Sequence, residues 1–282
     1  MTTTMTIEAH AKINLTLEVF KVRSDGYHAL RSVVMPVSLA DTLEVEDAIS
    51  LSSDTGYADD LCLKAAKVLA PGRGASIRVT KRIPAGGGLG GGSADAAAVL
   101  LALNDVWGLM RTREELMALG AQVGSDVPSL VCGGAVVMEG RGEVVRPVLP
   151  AEESVPRTLP VYHLVLLNPG VASSTAAVYA KCEGREPTAS LTLGKMLAAL
   201  SSGDPSRVAA ALQNDLTAPA RALHPEIGEA LDELRAGGAL GVSMSGSGST
   251  VFGVYADEAE AKAEASRLLA RGLRAWAVHT CG

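Results

Sequence analysis

Six glycines crowd into the seven positions from Gly86 to Gly92, with only Leu89 among them, and Ser93 follows. The full stretch runs Pro84, Ala85, Gly86, Gly87, Gly88, Leu89, Gly90, Gly91, Gly92, Ser93. Glycine inside regular structure costs about 0.5–1 kcal/mol relative to alanine, so core packing does not ask for this run. A ligand that the main chain must approach closely does. Successive free amides form a nest for an anion. A helix opening directly after the run adds its dipole and unpaired donors. Ser93 is placed to cap that helix, and its hydroxyl can donate to a phosphate or serve as a Mg2+ ligand. Asp95 suits the helix dipole but repels phosphate, so it is expected to point away or toward a metal.

Three phosphate-handling loops compete for this stretch. A Walker A loop needs GxxxxGK[ST], and the lysine is absent here. "LTLGKM" lacks the other glycine and the hydroxyl. Gly86, Gly88 and Gly91 match GxGxxG after a strand-like segment. A dinucleotide fold then requires one helix and a parallel strand ending in an acid about 20 residues on. Here a second helical stretch, "TREELMALGAQVG", follows the first, and Asp105 falls in helix-terminal "LND". What remains is a glycine loop that wraps an anion and opens into a helix. "SGSGS", Ser245–Ser249, is a second small-residue turn, either a plain hairpin or a partner closing over the same ligand.

The elements that must carry these loops are legible in part. From Met5 to Val19 every odd position is apolar and every even one polar. Period two marks a β-strand, which puts Lys12 and Asn14 on one face about 7 Å apart. By pattern alone that face is the solvent side of an antiparallel sheet. Asp25-Gly26 signals a turn. "SIRVTKRIP" reads as a strand ending at Pro84, and "SADAAAVLLALNDVWG" as a helix capped by Ser93. "LVCGGAVVMEG" and "EVVRPVLP" read as strands around a turn. Three prolines and two acids within 149–160 mark a boundary. The second half reads as a strand, several helices between about 189 and 237, then β-β-α-β, a mixed α+β arrangement.

Composition narrows the class. The 282 residues are 48% apolar and 20% charged with net charge −6, which argues against a general nucleic-acid or anionic-membrane surface. Charge is uneven, however. Leu61 to Ala94 contains Lys64, Lys67, Arg73, Arg78, Lys81 and Arg82 and no acid, either a solvated surface or an approach for an anion. Cys62, Cys132, Cys182 and Cys281 are scattered with no CxxC and no metal-ligand spacing. With no secretory signal at the start, a cytoplasmic protein with reduced thiols is expected. The longest uncharged run, near His163–Ala180, carries Asn168, Pro169, Gly170 and three hydroxyl residues and is no membrane span.

Residues 83–97, "IPAGGGLGGGSADAA", resemble the central motif of the GHMP kinases, small-molecule kinases that lack Walker A. "AKINLTL" (11–17) resembles the first motif of that family and "SGSGSTVFGVY" (245–255) the third. "SDGYHALRSV" (24–33) and "GSDVPSLVCGGAVVMEGRGE" (124–143) are similar to one subgroup. Its members use ATP to phosphorylate the 2-hydroxyl of a cytidine diphosphate-linked methylerythritol, in the non-mevalonate route to isoprenoid precursors. The resemblance implies an α+β, two-lobed GHMP kinase fold, with mixed and antiparallel sheets, helices, and an active site in the inter-lobe cleft. It implies lobes at 1–155 and 156–282, with ATP and Mg2+ as cofactors. A monomer or homodimer is expected, acting on that small molecule and on no nucleic acid or membrane.

The resemblance also assigns roles. Lys12 and Asp126 match the catalytic pair, Asp126 accepting the hydroxyl proton and Lys12 holding it ionised. Residues 84–93 match the ATP phosphate loop. Asn14, Tyr27, His28, Thr175 and Tyr179 match substrate-binding positions, with Tyr27 and Tyr179 offering ring faces to cytosine and His28 its edge. Read without the family, Asp126 in "GSDVP" is a turn or N-cap residue. Three positions depart from the family pattern. His10 stands where proline is common, Asp60 where asparagine is frequent near the adenine, and Ser173-Ser174 lack a proline before the threonine. Competing readings are a GHMP kinase for mevalonate, homoserine or a sugar, a non-catalytic nucleotide-binding protein on the same scaffold, and a dinucleotide oxidoreductase. A non-nucleotide substrate needs no aromatic stacking pair, and a non-catalytic scaffold needs neither Lys12 nor Asp126.

Overall fold

Period-two alternation at the N-terminus produces β1 (Thr4–Val22), and a second long strand, β2 (His28–Ala48), follows. The computed structural model describes residues 4–22, 24, 26–149, 158–184 and 191–281. Two compact units divide the chain. One is formed by Met1–Ala11, Leu39–Ala85 and Gly90–Gly133, the other by Lys12–Ser38, Gly86–Leu89 and Gly134–Gly282. The units therefore interleave along the sequence, and β1 and β2 run through both. The boundary expected near residue 155 lies outside the described residues.

In the first unit, β3 (Ser52–Ser53), α1 (Leu61–Leu69) and β4 (Gly74–Thr80) precede three helices, α2 (Gly91–Val106), α3 (Arg113–Val123) and α4 (Val127–Cys132). The second half of β2 pairs antiparallel with β4, from Thr42 opposite Thr80 to Ala48 opposite Gly74. β3 lies parallel to β4. Small side chains let α2 pack closely: Ala94, Ala96, Ala97, Ala98 and Ala102 are all buried. A capping box between Thr112 and Glu115 starts α3.

Two expectations change here. β4 stops at Thr80 rather than near Pro84, because the Arg82 and Ile83 amides donate to the Asp41 carboxylate instead of to a strand. Leu130–Cys132, expected in a strand, belongs to α4, which carries Pro128 in its first turn, where proline is tolerated.

The second unit contains β5 (Val136–Gly140), β6 (Val144–Pro147), β7 (His163–Asn168), α5 (Thr175–Ala180), α6 (Leu191–Ser202), α7 (Pro205–Ala211), β8 (Gln213–Asn214), α8 (Thr217–Leu223), α9 (Pro225–Ala236), β9 (Gly241–Met244), β10 (Val251–Tyr255), α10 (Glu258–Ala270) and β11 (Arg274–His279). The first half of β2 pairs antiparallel with β5, and β5 with β6. β1 pairs in parallel with β8 at Thr16 and Leu17. A separate antiparallel sheet has the order β11-β7-β10-β9. Its apolar face, with α9 and α10, encloses a core of Val165, Leu167, Leu231, Leu234, Val251 and Leu268, joined by Leu17 and Val19 of β1.

The polar face of β1 is exposed at Thr6 and Glu8 but not from Lys12 onward. Lys12, Asn14, Thr16 and Glu18 are all buried, as are the apolar residues between them. Burying that many polar groups is costly unless each finds a partner. The partners are what organise the site.

Candidate active site

Lys12 is only 4% exposed and Asn14 5%. Lys12 Nζ donates to Asn14 Oδ1 at 2.7 Å, and Asn14 Nδ2 donates to Ser32 Oγ at 2.8 Å. Ser32 Oγ in turn donates to the Thr16 carbonyl at 2.5 Å. The i, i+2 spacing on β1 makes the first link, and the neighbouring strand β2 supplies Ser32. Each donor in this relay has an acceptor, so Lys12 is oriented by the sheet itself.

The glycine loop and the second small-residue turn meet in the same unit. Ser245 Oγ donates to the Gly88 carbonyl at 2.9 Å, and the Thr250 amide to the Gly87 carbonyl at 3.0 Å. The Lys12 amide donates to the Leu89 carbonyl at 3.0 Å. Gly88 has φ of 76°, and a Cβ there would lie 2.2 Å from the Ser245 carbonyl oxygen. No side chain fits that contact. A Cβ on Gly246 would stand 3.3 Å from Lys12 Nζ and 3.6 Å from Asn14 Oδ1. Gly86–Leu89, the Ser245–Ser249 turn and the Lys12 ammonium thus form one cluster. The two loops are partners rather than separate turns.

The substrate-side candidates in this unit also converge. Thr175 Oγ1 and Ser247 Oγ share a hydrogen bond of 2.8 Å, and Ser173 Oγ donates to the Ser247 carbonyl at 2.8 Å. Ser174 caps α5 through the Ala177 amide, a role that explains how the chain turns there without a proline. Tyr179 follows one turn later, its ring centroid 5.7 Å from that of His28 and tilted by 42°. His28 Nδ1 stands 2.6 Å from the Phe20 carbonyl. A carbonyl only accepts, so the Nδ1 hydrogen is committed there, and the neutral ring keeps Nε2 as an acceptor. Tyr27 is 60% exposed. Asn168, read as structural, bonds Thr250 and the Gly170 amide.

The remainder of the glycine loop belongs to the first unit. Ser93 does not cap α2. The helix begins at Gly91, and its cap is Gly90, in the left-handed region at φ 70° with no side-chain bond. The Ala94 amide makes the first return bond, to the Gly90 carbonyl at 2.8 Å. The amides of Gly91, Gly92 and Ser93 therefore have no intrahelical acceptor, and no capping side chain competes with a ligand for them. Ser93 sits in the first turn, where a Cβ on Gly124 would be 3.8 Å from its Oγ. The "GSD" turn that carries Asp126 is thus beside the start of α2. Asp126 occupies the residue before α4, but its side chain makes no capping bond to that helix. The capping role read from "GSDVP" is not the one it performs.

Sequence reasoning missed a charged cluster beneath α2. Lys81 Nζ lies 2.5 Å from Asp41 Oδ2 and 2.6 Å from Asp95 Oδ2. Both carboxylates are buried. Burial pushes the Asp95 carboxyl up, to about 7, against the pull of Lys81. Burial alone would lower the Lys81 pKa, but its two carboxylates outweigh this and raise it. Asp95 accordingly meets Lys81, whose Nζ would be 3.5 Å from a Cβ on Gly91. A basic residue just before the loop and an acid just after it are the only sequence signal for this pairing.

The positive stretch before the loop is also largely engaged. Lys64 donates to the Val123 carbonyl, Arg73 stacks on Trp107, and Arg78 pairs with Glu44 and Glu46. Asp60 caps α1 by accepting from the Cys62 and Leu63 amides, with Thr55 Oγ1 donating to its other oxygen. Asparagine can perform the same cap, which accounts for the departure at that position. His10, partly exposed, lies 3.7 Å from Glu8.

Comparison with known proteins agrees with these motifs. The family model "GHMP kinases N terminal domain" matches residues 60–136, and "GHMP kinases C terminal" matches 196–274. A 4-diphosphocytidyl-2-C-methyl-D-erythritol kinase of Paramagnetospirillum magneticum is 40% identical, over 94% of this chain and 94% of its own. Its counterpart in Symbiobacterium thermophilum is 40% identical over 98% and 99%. A crystal structure of 4-(cytidine 5'-diphospho)-2C-methyl-D-erythritol kinase superposes with a TM-score of 0.82 at 37% identity, covering 99% of this chain and all of that one. A homoserine kinase from Cytophaga hutchinsonii shares the fold, with a TM-score of 0.71 at 17% identity over 99% of this chain and 94% of its own. On its two matched domains and these near full-length relatives, the chain belongs to the GHMP kinases, in the family of the 4-diphosphocytidyl-2-C-methyl-D-erythritol kinases.

Proposed function

We propose that this chain transfers the γ-phosphoryl group of ATP to the 2-hydroxyl of 4-diphosphocytidyl-2-C-methyl-D-erythritol, giving the 2-phosphate and ADP in the non-mevalonate route to isoprenoid precursors. The observation that carries this reading is the joint presence of the buried Lys12–Asn14–Ser32 relay against the paired glycine turns and the His28–Tyr179 ring pair. A kinase for mevalonate or homoserine has no base to stack and no use for the second feature.

Phosphoryl transfer needs chiefly positioning and charge stabilisation. The oxygen of the 2-hydroxyl forms a bond to the γ-phosphorus as the bond from phosphorus to the β,γ-bridging oxygen breaks. The hydroxyl proton passes to the Asp126 carboxylate. Lys12 stabilises the developing alkoxide, its ammonium aimed by Asn14. The open amides at the start of α2 and in Gly86–Leu89 bind the phosphates. His28 Nε2 accepts from the cytosine amino group, and Tyr27 and Tyr179 supply ring faces.

Mg2+, when bound with ATP, would neutralise charge on the transferred group. Among the described residues no three His, Cys, Asp or Glu side chains gather to hold a metal. The Ser93 hydroxyl is the side chain that would hold the ion from the protein side. A cytoplasmic location accords with four cysteines that stand outside any disulfide.

A coupled ADP-release assay with the cytidyl substrate, mevalonate and homoserine tests the reading. Turnover confined to the cytidyl substrate is expected. Equal or faster turnover of mevalonate would overturn it.

A further inference from the structure

Tyr27 is a large aromatic that the fold leaves mostly in solvent, yet one face of its ring is covered. The Arg141 guanidinium carbon stands 5.2 Å from the ring centroid. Arg141 comes from the turn between β5 and β6, and strand register brings it there: Gly140 pairs opposite Leu30, three residues after Tyr27. The turn is pinned from within. Glu143 accepts from the Arg141 amide, and the Gly142 amide donates to the Glu139 carbonyl at 3.1 Å.

The neighbouring arginines are paired with a carboxylate, and Arg31 also lies over a ring, its guanidinium carbon 5.6 Å from the Phe20 centroid. Glu139 accepts from Arg31 Nε at 2.9 Å and from Arg146 at 3.2 Å, so the two share one carboxylate. Arg141 has no carboxylate partner for its guanidinium among the described residues. What it faces is an aromatic ring. A guanidinium is planar and weakly hydrated, so it stacks on such a ring better than an ammonium does. Ordering an exposed ring on binding costs affinity, and the guanidinium contact is one restraint on this ring.

We infer that Arg141 is a positioning residue for nucleotide-substrate recognition, holding the Tyr27 ring by one face so that the other receives the cytosine. The inference rests on the proposed reading of Tyr27 as a base-stacking residue. Arg141 acts through the ring and does not touch the reacting atoms. Its loss therefore weakens binding of the cytidyl substrate and leaves the ATP side and the chemical step alone.

Steady-state kinetics of the full chain with saturating ATP provide the test. For Arg141→Ala, the KM for the cytidyl substrate should rise about two- to five-fold, the size of an exposed cation–π contact, with kcat and the KM for ATP unchanged. Arg141→Lys should fall between wild type and Arg141→Ala. In a Tyr27→Ala background, Arg141→Ala should have no further effect. An unchanged or lower KM in Arg141→Ala would overturn the inference, a lower one meaning that the guanidinium covers the receiving face. Full additivity with Tyr27→Ala would also overturn it, pointing to a direct contact with the substrate diphosphate. If wild type does not turn over the cytidyl substrate at all, it is the proposed function that fails, and the kinetics never reach Arg141.

Discussion

Lys12 is the residue whose chemistry and burial are hardest to explain as architecture. A lysine 4% exposed gives up most of its hydration, and its hydrogen bond to Asn14 aims the ammonium rather than neutralising it. Lys12→Ala and Asp126→Asn should each lower kcat by at least about a hundredfold, the usual scale for a charge-stabilising or proton-accepting group. ATP affinity, measured by calorimetry, should stay near wild type in both. A variant that loses ATP binding in parallel with kcat would place that residue on the phosphate side instead. The glycines divide at this scale too. Gly86 and Gly88 both have positive φ, but a Cβ on Gly86 meets nothing within 4 Å, whereas one on Gly88 strikes the Ser245 carbonyl. Gly86→Ala should therefore cost only about 1 kcal/mol of backbone strain, and Gly88→Ala clearly more. Equal melting temperatures for the two variants would refute the close approach of the two turns.

At the scale of elements, caps decide which backbone groups a ligand can use. α2 opens on Gly90 with no side-chain cap, while α1 and α3 open on Asp60 and Thr112 with full ones. Of these three, the helix at the glycine loop is the one left with open donors. For α1, Asp60→Ala should cost about 1 kcal/mol at pH 7, and Asp60→Asn a few tenths. Burial tends to raise the Asp60 pKa, but bonds from Thr55, Ser53 and the Leu63 and Cys62 amides outweigh it, and the folded value lies below the ordinary 3.8. A depressed carboxyl stabilises fully above its unfolded pKa and loses that contribution as pH falls through the folded one. Urea denaturation should thus find the Asp60→Ala deficit intact at pH 5 to 7 and shrinking below about pH 4. A deficit constant down to pH 3 would mean that the cap does not depend on the charge. Sequence reading found α2 and β1 readily, because glycine content and period two are local signals. It put Lys12, Asn14, Thr16 and Glu18 on a solvent face, since alternation reports that two faces differ and not what covers them. It gave Ser93 the cap because serine is a good one, and could not see that three preceding glycines start the helix earlier. The Asp41–Lys81–Asp95 cluster was invisible because its partners lie 40 and 14 residues apart.

For the whole molecule, interleaving of the two units has a consequence that no single element carries. Prolines and acids within 149–160 suggest a cut into 1–155 and 156–282, and each half contains one matched family domain. Yet the unit holding Gly134–Gly282 also contains Lys12–Ser38 and Gly86–Leu89. Leu17 and Val19 of β1 are part of the core formed with Val165, Leu167, Leu231 and Leu234. β8 has its parallel partner in β1, Val37 bridges to Thr280, and the Cys281 amide donates to the Pro36 carbonyl. A fragment of 156–282 keeps the β11-β7-β10-β9 sheet and loses all of these. Removing two buried aliphatic side chains from one core costs about 2–5 kcal/mol each, against a total stability of about 5–15 kcal/mol for a typical domain. The fragment should therefore retain helical circular dichroism but lose cooperative unfolding in urea. Adding a second fragment of 1–155 should restore cooperativity, because it returns β1, the first half of β2 and the glycine loop together. A sharp urea transition for 156–282 alone, equal to that of the full chain, would show that the C-terminal half is an independent domain and that the segments from β1 are only laid onto it.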